Sequence, residues 1–305
     1  MLLRQLEYLV ALAREGHFAR AADACYVSQP ALSEGLRKLE DELRVPLVHR
    51  GRKYEGLTPE GERILLWAQR MLADRDALES EVTALRHGLS GRLRIGSVPT
   101  ASTVVSLLTE PFCTQHPLTT VQVLTDLRAT EILDKLQSYE IDAGITYLGH
   151  TIPERFECVP LYRERYVLLI QPPSGAGRLS EITWAEAAQQ PLCLLDPVMQ
   201  GRKVLDTVFQ EIGAPVRPRV ETDSIASMFA HVRTGRWASV VPHSWLHVFG
   251  VPAGMQAVPL VSPTRAVPMG LVVAKRDPAP VMTRALVDIA RRAGMDAVLT
   301  QVPGR

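Results

Sequence analysis

Up to Leu89, apolar residues recur almost continuously at helical spacing. Leu3, Leu6, Tyr8, Leu9, Val10, Leu12 and Ala13 line one broad face, and Gly16 supplies a C-terminal stop. A second helix is expected from about Ala19 to Ala24. A third starts at Ser28, whose hydroxyl suits an N-cap, with Pro30 in the first turn where a missing N–H costs nothing. Leu32, Leu36 and Leu39 form its buried stripe, which leaves Gln29, Pro30, Ser33, Glu34 and Arg37 on the opposite or flanking surface. Two short helices with a tight join, the second exposing hydrogen-bonding residues at its start, suit entry of a helix N-terminus into a DNA major groove.

The segment Leu47–Leu57 predicts a small hairpin with glycines at its bends, presenting Arg50, Arg52 and Lys53 together. Thr58-Pro59 then opens a helix that runs to Gly88, about 45 Å long at ~1.5 Å per residue. On it Ile64, Ala68, Met71, Leu78, Val82, Leu85 and Leu89 follow alternating steps of four and three, interrupted at Arg75. That period marks a coiled-coil seam, so the helix is expected to pair with a second copy, with Arg75 as a register device. From Arg92 the pattern changes to strand, helix, strand: Leu93–Gly96, Thr103–Thr114, Thr120–Thr125, Glu131–Ser138 and Ala143–Tyr147. Near Arg163-Glu164 the chain is expected to pass into a second α/β unit, with strands at Tyr166–Ile170, Leu192–Leu195, Arg219–Thr222 and Ala238–Val241. It returns through Val267–Ala274 to a final helix, Val281–Arg292, which predicts two lobes joined by two crossovers.

Composition narrows the class without choosing a function. The 305 residues carry 34 Lys+Arg against 33 Asp+Glu, a net charge of +1, so bulk charge neither demands nor forbids a polyanionic partner. With 46% apolar residues the chain can bury a core, which excludes disorder. Cys25, Cys113, Cys158 and Cys193 lie far apart with no metal-ligand spacing, so neither a disulfide framework nor a zinc site is expected. No apolar run is long enough to span a membrane, and the first residues, with Arg4 and Glu7, read as an amphipathic helix rather than a signal peptide. A cytoplasmic location is the expectation. There is no G-x-S-x-G elbow, no phosphate-binding loop and no complete dinucleotide fingerprint around Gly175-Ala176-Gly177, so no cofactor is expected. His243 and His247 are four apart without the accompanying carboxylate of a metalloprotease motif.

The motif residues Arg4-Gln5-Leu6-Glu7-Tyr8, Ala21-Ala22, Val27-Ser28-Gln29-Pro30-Ala31-Leu32-Ser33, Leu39-Glu40, Val45-Pro46-Leu47, Arg50 and Leu57-Thr58-Pro59-x-Gly61 resemble, in order and spacing, those of LysR-type transcriptional regulators. A looser match continues through Pro117 and Ile141-Asp142-Ala143-Gly144-Ile145. The resemblance implies an all-α winged helix-turn-helix over about 1–58, a dimerisation helix over 59–89, and an α/β effector domain over 90–305 similar to periplasmic solute-binding folds. Within that domain, lobe I is expected at about 92–162 and 267–305 and lobe II at about 163–266. It also implies a dimer of dimers on double-stranded DNA at an interrupted palindromic operator, with RNA polymerase as a further candidate partner, and a small-molecule effector that changes the angle between dimers. Where many members carry a basic or amide residue on the recognition helix, this chain has Glu34-Gly35, and Val48-His49 replaces an aromatic and an acidic residue.

For DNA, the groove-facing candidates are Ser28, Gln29, Pro30, Ser33 and Arg37, and Ser28 is equally a plain helix cap. Arg50, Arg52 and Lys53 would touch phosphates. In the second domain the stretch from Ser97 through Thr100, Ala101 and Ser102 lies between a strand and a helix. N-capping explains its hydroxyls as well as anion binding does, and the family's inter-lobe pocket favours a ligand role. Thr130, Tyr147, Met199, Arg202, Thr222 and Ser224 are expected to face it. Convergent helix starts and an arginine suggest an anionic metabolite. The alternatives are a cytoplasmic solute-binding module or a redox sensor on the same two-lobed fold; no nucleophile–base arrangement suggests an enzyme.

Overall fold

The computed structural model describes residues 1–50, 54–149, 152–172 and 178–300. It divides into two compact units, Met1–Leu89 with Gln137–Glu140, and Ser90–Leu136 with the chain from Ile141 on. No helix among the described residues is long and apolar enough to cross a membrane.

In the first unit, α1 (Leu3–Glu15), α2 (Phe18–Ala24) and α3 (Gln29–Leu43) enclose a core of Leu6, Leu9, Leu12, Ala21, Leu32, Leu36 and Leu39. Their turns are local consequences of sequence: Gly16 takes a left-handed conformation that stops α1, and the Ser28 hydroxyl accepts from the Ala31 N–H at 3.3 Å. A two-stranded wing follows, β1 (Val48–Arg50) antiparallel to β2 (Tyr54–Leu57). The wing is fixed to α3 by Glu40, a buried carboxylate that accepts from the Leu47 and Val48 N–H groups at 2.8 and 3.2 Å. Thr58 adds a second tie, donating to Pro46 O at 2.6 Å while capping the next helix through Gly61 N. Removing the acceptor leaves two buried N–H groups unpaired, each costing ~1–3 kcal/mol. Glu40→Ala is therefore expected to destabilise this unit by about 3 kcal/mol, read from urea denaturation of the full chain; an unchanged midpoint would refute the tie.

The long helix α4 (Pro59–His87) divides its expected seam. Ala68 is buried and Ile64, Leu65 and Leu72 pack on the core formed with α1, so the amino-terminal part of the seam is already occupied within the protomer. Arg75 does not serve the seam alone either: its guanidinium is bound to Glu7 of α1 and to Asp76. Met71, Leu78, Val82 and Leu85 remain exposed.

The second unit is built on β3 (Ser90–Ser97), β4 (Leu118–Leu124), β5 (Ala143–Tyr147), β6 (Phe156–Ile170), β7 (Ile182–Thr183), β8 (Cys193–Leu195), β9 (Val220–Thr222), β10 (Ser239–Pro242), β11 (Gln256–Val261) and β12 (Ala266–Ala274). The parallel set β4-β3-β5 is continued by antiparallel β12 and β6, so the expected parallel series is mixed. Strand β6 serves both lobes. Its residues Phe156–Arg165 pair with β12, and Tyr166–Ile170 pair with β10 and β11 on either side. Around the strands lie α5 (Ser106–Gln115), α6 (Ala129–Gln137), α7 (Trp184–Ala188), α8 (Gln200–Glu211), α9 (Ile225–Val232), α10 (His243–Phe249), α11 (Val281–Arg292) and α12 (Met295–Thr300). Alternation along the strands sorts the second lobe's core into two layers. Leu168, Leu192, Leu194 and Val240 meet Trp184 and Phe209 on one face, and Leu169, Cys193, Leu195 and Val241 meet Met228 and Trp245 on the other.

Candidate functional site

The first unit presents Ser28, Gln29, Pro30, Ser33 and Arg37 along one exposed row at the start of α3. Ser28 caps the helix, which fixes the first turn and aims the free N–H groups outward. Arg37 is held by Glu34 at 2.5 Å, and Lys38 lies 3.8 Å from the same carboxylate. Gly35 has a packing cause: a Cβ there would come within 2.7 Å of the Tyr8 ring. On the wing His49 is exposed. The Arg50 side chain, Arg52 and Lys53 lie outside the described residues.

In the second unit the candidate ligand residues gather where strands β3, β5, β8 and β9 end, the position at which crevices open in α/β sheets. Ser97 closes β3 and is fully buried, its Oγ without a hydrogen-bond partner. A 3-10 turn, Pro99–Ala101, follows, and buried Thr100 makes a 2.7 Å hydroxyl contact with half-buried Tyr147. Ala101 is buried behind it and Ser102 is half-buried. Thr130 is exposed on α6, whose leading loop is tied to the site by Leu127 N–H donating to Ser97 O at 3.3 Å.

From the other lobe, α8 begins after Met199 with no side-chain cap. Gly201 is required there, because a Cβ would stand 2.5 Å from the Thr100 methyl. Trp245 of α10 donates its indole N–H to Thr100 O at 2.8 Å, so both lobes converge on one threonine. Thr222 and Ser224 sit nearby in sequence order but serve as local caps: Ser224 N–H donates to Thr222 Oγ1, and Ser224 Oγ accepts from Ser227 N–H. Arg202, expected to receive an anion, is buried and engaged elsewhere, donating to Asp206 at 2.7 Å, to Glu221 at 2.9 Å and to Leu195 O at 2.7 Å. Two carboxylates on one guanidinium leave that cluster net negative.

Sequence reasoning missed the most unusual group. Glu164 is fully buried on β6 and accepts hydrogen bonds from the Tyr162 and Tyr166 hydroxyls at 3.3 and 3.1 Å. Sheet register explains the cluster. Cross-strand partners share a face, so Tyr147 opposite Met269, Met269 opposite Tyr162, and Val267 opposite Glu164 all point the same way, as does Tyr166 two residues on. Parallel pairing of Ser97 with Ile145 adds Ser97 to that face. The run Tyr162-Arg163-Glu164-Arg165-Tyr166 carried this signal in its alternation, with Arg163 and Arg165 exposed on the other side. Burial raises the Glu164 carboxyl to about 7, opposed by the two tyrosine hydrogen bonds. The tyrosine hydroxyls at 147, 162 and 166 are all pushed well up, first by burial and then by the nearby carboxylate. His243, whose ring lies 6.3 Å from that of Tyr162, is lowered by burial and leaves its Nε2 without a partner.

Comparison with known proteins agrees with this division. A model described as the bacterial regulatory helix-turn-helix protein, lysR family, matches residues 3–62, and the LysR substrate binding domain matches residues 86–294. The chain is 29% identical over 305 residues to the DNA-binding transcriptional dual regulator OxyR of Escherichia coli, covering 99% of this chain and 98% of the relative. It is 42% identical over 247 residues to the SDS degradation transcriptional activation protein of a Pseudomonas species, covering 79% of this chain and 78% of that one. Among solved structures, a full-length OxyR variant from Pseudomonas aeruginosa superposes with a TM-score of 0.74 at 28% identity, covering 95% of this chain and 98% of the other. CbnR complexed with its target DNA has the same fold, with a TM-score of 0.63 at 24% identity over 96% of this chain and 100% of the other.

Proposed function

Because this chain belongs to the LysR family of bacterial helix-turn-helix transcriptional regulators, we propose that α3 reads an operator and that the inter-lobe crevice holds the controlling effector. The observation that carries the DNA assignment is the exposed row Ser28, Gln29, Pro30, Ser33 and Arg37 on a helix whose first turn is capped and whose far side is core. Gln29 can pair with adenine N6 and N7, Pro30 can meet a thymine methyl, and Arg37 suits guanine or phosphate. Arg50, Arg52 and Lys53 would supply phosphate contacts and salt dependence. Pairing through the exposed part of α4 would give the two half-site readers that an interrupted palindrome needs, and a dimer of dimers would extend the contact. The chain acts in the cytoplasm, alongside RNA polymerase, as a regulator rather than an enzyme. Relatives named as activators of peroxide-inducible and SDS-degradation genes support an inducible response.

For the effector, the residues proposed are Ser97, Thr100, Ala101, Ser102, Tyr147, Met199 and Gly201, with Thr130, Thr222 and Ser224 at the margin. A thiol switch is the weaker reading: burial pushes the Cys193 thiol up to about 11 and raises Cys158 as well, and the thiolate is the reactive form. Gel retardation with the DNA upstream of the chain's own gene tests the DNA assignment. Gln29→Ala is expected to weaken specific binding by ~1–3 kcal/mol while leaving non-specific binding nearly unchanged. Equal binding to specific and scrambled DNA would overturn it.

A further inference from the structure

The inter-lobe site holds a carboxyl with no counter-charge beside it among the described residues. Among the described residues Glu164 has no ion-pair partner; its two contacts are the Tyr162 and Tyr166 hydroxyls. Arg202 on α8 is already bound by Asp206 and Glu221. Arg163 and Arg165 flank Glu164 in sequence, but alternation sends both to the exposed face of the strand. A buried carboxylate held only by neutral hydroxyls stays costly to ionise unless a cation or a further donor joins it.

Three tyrosines surround the carboxyl on its face of the sheet. Tyr147, Tyr162 and Tyr166 share the face of Glu164, and Tyr147 is half-buried, so the face reaches solvent on its side. Aromatic faces attract cations electrostatically and also accept apolar groups. Buried polar atoms without a partner lie farther along the same face at Ser97 Oγ on β3, and beside Tyr162 at His243 Nε2.

We propose, resting on the assignment of the crevice as the effector site, that the effector presents a hydrogen-bond-donating head without negative charge to Glu164, an ammonium group or an alcohol. The three tyrosines would enclose that head and Thr100 would close over it from the opposite lobe. An anionic head would meet the Glu164 carboxyl with no cation beside it to offset the repulsion. An ammonium would gain from the ionised carboxylate, whereas an alcohol would be served by either protonation state. The titratable groups that face Glu164 are Tyr162 and Tyr166 on its own strand and Tyr147 on β5, with His243 of α10 behind Tyr162. The tyrosines stay protonated near neutrality, so Glu164 is the group whose charge the ligand would set.

Matched probes test this on the full chain: benzylamine, benzyl alcohol and benzoate, and hexylamine, 1-hexanol and hexanoate, by thermal denaturation and calorimetry at pH 6 and pH 8. Amine or alcohol binding is expected without carboxylate binding. The amines are expected to bind up to about tenfold more tightly at pH 8 than at pH 6, with proton release at pH 6. Glu164→Gln is expected to weaken amine binding at least tenfold and to remove its pH dependence. Stabilisation by the carboxylates alone would overturn the proposed head group while leaving the crevice assignment standing. Binding by none of the six would overturn the proposal, and operator binding in the same preparation would show separately whether the regulator reading holds. Should Glu164→Gln not fold, a pH-independent affinity of the unaltered chain for the amines would by itself overturn the proposal.

Discussion

The double variant Leu78→Glu, Leu85→Glu is expected to be monomeric at micromolar concentration and to lose operator affinity by about 100-fold or more. Both side chains stand in the open on α4, 65% and 81% exposed, in step with Val82 and Met71 along one line of the helix. Apolar residues at that spacing continue along a helix whose first half is already packed on α1, and they are left exposed. In a two-fold pairing each leucine is buried twice, and burial of one leucine contributes roughly 1.5–3 kcal/mol. Four glutamates in the seam would add repulsion to that loss. A monomer would then place one recognition helix on DNA instead of two, forfeiting an avidity of order 10²–10⁴. Light scattering reports the assembly and gel retardation the affinity. Sedimentation of the variant as a dimer would show that the exposed line is not the pairing surface.

Much of the reader was legible because its signals are local. The cap at Ser28, the stop at Gly16 and the Thr58-Pro59 start act within a turn or two, and the structure places each helix end within a few residues of where they point. Gly35 was not legible: its cause is the ring of Tyr8, remote in sequence and brought over it by packing of α1 on α3. Arg75 shows the same limit, since periodicity reveals an interruption in a stripe but not the Glu7 carboxylate that fills it. In the second unit β5 and α11 matched their patterns, whereas the early part of β6, with β11 and α12, went unread. Pro160 and the alternating charges in β6 broke up the apolar run, although buried and exposed positions still alternate through it. The crevice residues after β3 were visible as a strand-to-helix loop rich in hydroxyls. Glu164 required the register of three strands, and Arg202 required knowledge of where Asp206 and Glu221 fall.

Glu164 also makes the stability of the chain depend on pH in a direction opposite to that of most carboxylates. In the fold its carboxyl keeps a proton up to about pH 7, against an ordinary value of 4.5. Between those values the folded state binds a proton that the unfolded state has released, so rising pH favours unfolding. The contribution is fully present below about 4.5, falls as pH rises toward about 7, and is lost beyond it. At about 1.4 kcal/mol per pH unit the loss approaches 3 kcal/mol. His243 works the other way, since burial keeps it neutral in the fold and acid favours the unfolded chain. The two slopes overlap, so a single stability curve would blend them. Glu164→Gln separates the effects: it keeps the shape, an acceptor for one tyrosine and the same His243, but cannot ionise. Urea denaturation at a series of pH values is expected to show the variant gaining on the unaltered chain by about 3 kcal/mol between pH 4.5 and pH 8, with the gain levelling off above pH 7. Parallel curves across that range would mean that Glu164 ionises in the fold as it does in water, and that the tyrosines around it hold an ordinary carboxylate.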